Sequence, residues 1–425
     1  MISRRPGRLA PDEIPADTRP GALVLSGMRR GLVQVFLPVA LAGQAVAWLG
    51  YLISGAYGPW SWIKIGLAYT FTSVRVPFEV TARGSGLPGA EDATFDMVLA
   101  LGAFTAAVVV LAFRAGRDQA RGLETKPARA AAAGASIGPG FALPMFVAAF
   151  AVRLGFPRLG ITVMEPVLWA ASVMPLVIGG VAGVVGGLGR AREALEKGGG
   201  WRARTSEVAR TGALACWWGL VLSTIAFLLL AAVEMGVTKA YGRFIGRAEN
   251  AGAIAVVHHA LVLPNQSALT LGITMGVPAE LQVGEDLVAT AGLRGLEVYG
   301  PFRGLIGDPT DPTAGSFPAP RWYWVFLLVP AAATLLGGRV AGEGARSPRS
   351  AAATGALAAP VFAGLCVLAA WFASFSLPLL PGLLRDPVSL GQPLGRLALV
   401  ALAWGLVGCS VGAAGSAWLR TRRAA

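Results

Sequence analysis

Eight long apolar stretches, joined by polar connections whose basic residues gather on alternate flanks, constrain this chain more than any motif it contains. A helix needs about 20 predominantly apolar residues to cross a hydrocarbon core. Stretches near that length fall at 32–56, 94–113, 137–154, 167–189, 212–235, 322–341, 352–378 and 397–419. One set of flanks carries Arg29 and Arg30, then Arg114, Arg117, Arg121, Lys126 and Arg129, then Arg190, Arg192, Lys197, Arg202, Arg204 and Arg210. Arg339, Arg346, Arg349, Arg420, Arg422 and Arg423 continue the set. Basic flanks stay in the cytoplasm during insertion. The pattern therefore predicts a multi-pass protein of the bacterial cytoplasmic membrane with both termini inside.

Composition agrees. A mean hydropathy of +0.61 with 14% charged residues excludes an ordinary soluble domain. The net charge of +13 is scattered over several short flanks, which suits a bilayer with anionic lipids and excludes a nucleic-acid face. Cys216, Cys366 and Cys409 all lie in apolar stretches without metal or disulfide spacing. No cofactor and no metal is expected. Residues 1–31 read as a disordered cytoplasmic N-terminus, 190–211 as a basic cytoplasmic linker, and 420–425 as a basic tail.

One more apolar segment, 251–276, spoils the count if it crosses once, because every later arginine cluster would then face outside. A re-entrant segment that turns at Leu263-Pro264-Asn265-Gln266 restores the charge rule, since Pro264 cannot donate to a helix ladder and Asn265 and Gln266 can bond the freed backbone. An ordinary proline-kinked span is the other reading. Residues 60–76 form a second outer-side insertion, with Trp60 and Trp62 suited to a membrane interface. The fold class is thus an all-α integral membrane protein of eight spans and two outer-side re-entrant or interfacial segments.

The order of elements repeats. A first membrane half (32–189) and a second (212–419) each read as span, outer insertion, then three spans, which predicts a parallel four-plus-four repeat. Ala142-Leu143-Pro144-Met145-Phe146 resembles Ala358-Ala359-Pro360-Val361-Phe362. Each half ends in small residues four apart, Gly179, Gly183, Gly187 and Gly408, Gly412, Ser416, which predict close helix contacts, either between these two helices or with another protein.

Candidate functional residues are few. His258, His259, Pro264, Asn265 and Gln266, with Gln44 in the first span, form the one candidate polar cluster. Adjacent histidines on a helix diverge by about 100°, so they cannot chelate one ion from one face. Neutral hydrogen-bonded histidines or a proton relay remain. Arg153 and Glu165 are expected to pair at an outer turn. The outer loop 277–321, with its turn-rich Gly307–Thr313 run, is the candidate partner surface. No nucleotide loop, metalloprotease or nucleophile-elbow motif occurs, so no catalytic residue is expected.

Leu263-Pro264-Asn265 inside an apolar segment resembles the LPN element of an actinobacterial family of polytopic membrane proteins of largely unknown function, which includes the cell-division-associated PerM proteins. Pro318-Ala319-Pro320-Arg321-Trp322-Tyr323-Trp324, then Val329-Pro330 and Gly338-Arg339, is similar to the stretch that follows that element. Trp62 through Ala68 and Phe113-Arg114-Ala115-Gly116-Arg117 are similar to its early helices and first cytoplasmic loop. Where the family continues into a GxGF-type motif, this chain has Leu271-Gly272-Ile273-Thr274-Met275-Gly276. The resemblance implies a non-enzymatic inner-membrane protein tied to cell division or envelope maintenance, acting through membrane-protein contacts. The alternative from the residues themselves is a transporter or lipid flippase using 251–276 as its substrate site.

Overall fold

A computed structural model describes residues 20–54, 61–82, 93–99, 101–156, 161–191, 200–234, 251–299, 315–377 and 388–424. Backbone polar groups cannot be left unbonded in lipid, so apolar runs of this length coil into helices. In the first half, α1 (Pro20–Arg30), a π-wound segment (Gly31–Phe36) and α2 (Leu37–Ser54) follow without a break. Then come α3 (Ser61–Thr72), β1 (Phe78–Ala82), β2 (Ala93–Met97), α4 (Gly102–Gln119), α5 (Pro127–Ala135), α6 (Ile137–Ala149), β3 (Leu154–Phe156), β4 (Ile161–Pro166) and α7 (Leu168–Arg190).

The second half starts with α8 (Gly200–Glu234) and α9 (Ala251–Thr274). Four strands follow, β5 (Ala279–Val283), β6 (Asp286–Gly292), β7 (Gly295–Val298) and β8 (Ser316–Pro318), then a 3-10 turn Arg321–Leu327. It closes with α10 (Leu328–Glu343), α11 (Pro348–Ala373), β9 (Phe375–Leu377), β10 (Val388–Gly391) and α12 (Leu394–Ala424).

Seven helical stretches among the described residues are long and apolar enough to cross a membrane: Gly21–Leu52, Pro127–Ala149, Leu168–Arg190, Arg204–Leu230, Arg321–Glu343, Pro348–Ala373 and Leu394–Arg423. The expected span 94–113 is not among them. Its first residues are drawn into β2, which pairs with β1, and the helix that follows carries Arg114, Arg117 and Asp118 in its last turns. Three other boundaries change. Residues 20–30 of the supposedly disordered N-terminus are helical, because Leu23 O accepts a bond from Gln119 and Ser26 donates to Gln119, buried on α4. Residues 200–211 belong to α8, and 420–424 extend α12.

The mostly helical membrane fold is present, and the strands are an unexpected addition. All of them lie in the connections at one end of the bundle, away from the arginine-rich ones. The first sheet runs β2-β1-β4-β3 and the second β8-β7-β6-β5-β10-β9. Every pairing is antiparallel. The supposed loop 277–321 is therefore largely sheet among its described residues; the run Gly307–Thr313 lies outside them. A bridge joins the two sheets edge to edge: Val98 N donates to Ser376 O and Ser376 N to Val98 O, both at 2.9 Å.

Each half has its own main core, one built on Phe71, Phe78, Phe141 and Met145, the other on Leu271, Phe362, Leu397 and Cys366. The glycine stripes face inward within their own halves. A Cβ at Gly183 would strike the Gly134 carbonyl, and one at Gly187 the Ala130 carbonyl. Gly408 faces Thr334, Gly412 faces Leu335, and Ser416 lies against Gly342. Gly179 lies on Phe141. The two stripe helices thus serve separate halves, because each has a nearer small-residue partner in its own half.

Candidate functional site

The segment expected to turn at Leu263–Gln266 does not turn there: α9 is helical from Ala251 to Thr274 with Pro264 inside it. What it does instead is descend along α8. The Ser267 hydroxyl shares a 2.7 Å hydrogen bond with Thr224 and donates to Leu263 O, while Leu271 packs where Gly219 of α8 leaves room. Its C-terminal turn then lies beside the first turns of α12, where Trp404 Nε1 donates to Met275 O. The chain reverses after that turn and returns as β5. α3 behaves the same way against α2: Gly66 lies on Gly43, and β1 carries the chain back.

The two reversals share their hydrogen bonds. Arg75 N donates to Thr72 O and Val76 N to Phe71 O; Gly276 N donates to Ile273 O and Val277 N to Gly272 O. This is the Schellman ending, which requires one left-handed residue after the helix. Gly276 supplies it with φ +93, as glycine does at little cost. The first reversal uses Arg75 at φ 58, the single non-glycine residue with positive φ among the described residues. An L residue there is strained by about 1 kcal/mol or more, and such positions persist where the side chain has work to do.

The Arg75 side chain reaches across to the other half. Nη2 donates to Ser374 Oγ at 2.8 Å, and the guanidinium carbon stands 4.5 Å from the centre of the Trp371 ring. Nη1 is buried and has no hydrogen-bond partner among the described residues. Burial lowers the guanidinium pKa from its usual range to about 10. The folded value lies below the unfolded one, so the cost of burying the cation is relieved only as pH rises past 10; at neutral pH Arg75 is charged.

Asn265 is the second staple between the halves. It is 8% exposed. Gly102 N donates to its Oδ1 at 2.6 Å, and its Nδ2 donates to Phe372 O and Ala373 O at 3.4 and 3.3 Å. One amide thus satisfies an orphan donor at the start of α4 and orphan acceptors at the end of α11. Pro264 packs on Gly102, where a larger residue would not fit.

The rest of the expected cluster is not gathered there. Gln44 spends its amide on Ile63 O at 2.9 Å, locking α3 to α2, and its Oε1 is buried with no partner among the described residues. Gln266 Oε1 is likewise buried and unbonded among the described residues. His258 and His259 lie in the backbone of α9, but their side chains fall outside the described residues. Arg153 and Glu165 do pair, at 3.8 Å on an exposed turn. The three cysteines share one core cluster.

A cavity of about 270 Å³ opens beside Arg75 on the joined sheets. Glu280, Gln282, Ser376 and Gln392 share its lining. Gln392 is itself 7% exposed, with its amide donated to Leu269 O and Val277 O. Sequence reading missed Arg75 because its importance lies in a backbone angle and in a partner almost three hundred residues away. The signal available was the shared Val-Pro after each reversal, Val76-Pro77 and Val277-Pro278, which aligns Arg75 with Gly276.

Seven apolar helices of spanning length among the described residues define the class: a multi-pass membrane protein. No family model, curated protein or solved structure matches the chain.

Proposed function

We propose that this chain is a non-enzymatic scaffold of the bacterial cytoplasmic membrane, serving cell division or envelope maintenance through contacts with other membrane proteins. The observation that carries the reading is where the contact surfaces lie. The small-residue stripes are consumed within each half, and the joined sheets are the broad surface left at one end. With α4, 18 residues long, as an eighth crossing, the positive-inside rule puts that sheet end outside and both termini in the cytoplasm. The link to division rests on the family resemblance of Leu263-Pro264-Asn265 and its surroundings. A parallel repeat fits the same frame: β2-β1-β4-β3 and β6-β5-β10-β9 have the same order, with β7 and β8 added on the second. Transport is the weaker reading. Asn265 is bonded to backbone partners and, among the described residues, does not line cavities of about 390, 270 and 600 Å³.

A photo-crosslinker at Phe317, exposed on β8, tests the scaffold in native membranes. It should capture a membrane or envelope protein, whereas the same group at Leu143, exposed on α6, should capture lipid. Capture of lipid alone at both sites, with normal septation in cells lacking the protein, would overturn the reading. Orientation is tested separately: a cysteine at Ser347 should resist an impermeant thiol reagent in intact cells.

A further inference from the structure

The cavity beside Arg75 carries opposite charges that do not meet. Arg75 and Glu280 both line it, yet no ion pair joins them among the described residues. Glu280 is instead approached by the Gln282 amide at 3.3 Å. Arg75 keeps one buried nitrogen, Nη1, without a partner. An unbonded buried guanidinium nitrogen is costly, and it is held in place by a backbone angle that is itself strained. Two costs at one side chain need a return. The Ser374 bond and the Trp371 ring account for the guanidinium's far side and face and leave Nη1 over.

The cavity's position limits what can fill the gap. Its walls come from the last turn before β9, from β5 and β10, and from the start of α12, so it sits where the spanning helices end and the sheets begin. That is the depth of lipid headgroups, and it is also open to small solutes.

We propose that this seam cavity is a binding site for a zwitterionic group, an anionic phosphate or carboxylate held by Arg75 with an ammonium held by Glu280. Phosphoethanolamine has this chemistry, whether as a lipid headgroup or as a free solute. The anion meets the guanidinium where Arg75 lines the cavity, since a guanidinium prefers a two-pronged contact with such oxygens. Glu280 then gains the cation that the seam does not provide. A group carrying only one of the two charges leaves the other partner unmatched. The bound group would also lock the seam, because Arg75 belongs to the first half, and Glu280, Ser374 and Gln392 to the second.

The test is calorimetric titration of the full-length protein in an uncharged sugar detergent with phosphoethanolamine, inorganic phosphate and ethanolamine in turn. Phosphoethanolamine should bind, and each single-charge probe should bind at least about tenfold more weakly. Arg75→Gln and Glu280→Gln should each weaken phosphoethanolamine by about tenfold or more, while Lys64→Gln, outside the cavity, should change nothing. Thermal unfolding of each variant separates lost binding from lost fold, and Glu280→Gln, which disturbs no hydrogen bond across the seam, keeps the test decisive if Arg75→Gln unfolds. Equal affinity for inorganic phosphate and phosphoethanolamine, no binding at millimolar probe, or binding indifferent to both substitutions would overturn the proposal. Repeating the titration in nanodiscs of phosphatidylglycerol, with and without phosphatidylethanolamine, identifies the source. Loss of the soluble probe's binding when that lipid is present marks the headgroup as the occupant; unchanged binding marks a free solute.

Discussion

The two helix-to-strand reversals, Phe71–Val76 and Gly272–Val277, have the same hydrogen bonds and opposite chemistry at the left-handed position. The second uses Gly276, around which a Cβ would meet nothing within 4 Å. It is a plain turn. The first uses Arg75, accepts strain, and sends its side chain into the other half. Eleven residues earlier in each reversal the roles exchange. Asn265, before Gly276, is buried and bonded to both halves, whereas Lys64, before Arg75, is half-buried and donates to Arg153 O of its own half at 3.3 Å. Each reversal therefore contributes one staple to the seam, at a different place along the same element. The contrast teaches that turn geometry is set locally, while the residue chosen for it is set by what lies across the interface.

The largest expected effect comes from Asn265→Ala. It leaves Gly102 N and the α11 carbonyls unbonded in a buried site, a loss of about 3 kcal/mol. Lys64→Ala should cost less than about 0.5 kcal/mol, as surface substitutions do. Thermal unfolding in detergent measures both, and similar losses would break the comparison.

Arg75→Ala comes next, at about 2 kcal/mol for the Ser374 bond and the Trp371 contact together. Arg75→Gly should be milder than Arg75→Ala by about 1 kcal/mol, because glycine relieves the left-handed strain that alanine keeps. The reverse order of melting temperatures would show that Arg75 is not strained. Gly276→Ala is smaller again, at about 1 kcal/mol, and arises from φ alone, since the added methyl has open space. An unchanged melting temperature would mean the second reversal tolerates a side chain as the first does.

The smallest effect lies away from the seam. Glu124 and Arg190 pair at 2.9 Å at the arginine-rich end, and the Glu124 carboxyl is held below its usual range first by its own backbone N–H and then by Arg190. A depressed folded pKa makes the contribution present above the unfolded value and lost as pH falls through the folded one. Glu124→Gln should cost about 0.5 kcal/mol at neutral pH, and the gap to wild type should close in acid. A gap that persists in acid would exclude the charge as its cause.

Much of the bundle was legible because the bilayer imposes simple rules on composition. The long apolar helices and the Arg153–Glu165 pair follow from hydropathy and local proximity, and the small-residue spacing marked close contacts without saying which helices make them. Asn265 was also legible, as a polar residue placed expensively in an apolar run, although its use as a staple rather than a turn was not. The strands were not legible. β3, β8 and β9 have three residues each, too short for an alternating pattern to register, and β1 finds β4 across more than sixty intervening residues.

What the sequence alone determined is that most of the chain coils into long apolar helices and which connections carry the cations, because transfer out of water depends on local side-chain chemistry. Only the tertiary structure decided that α9 and α3 turn back at their ends, that two sheets join at Val98 and Ser376, and that Arg75 and Glu280 share a cavity. Those outcomes depend on hydrogen bonds between groups far apart in the chain, whose partners no local window contains.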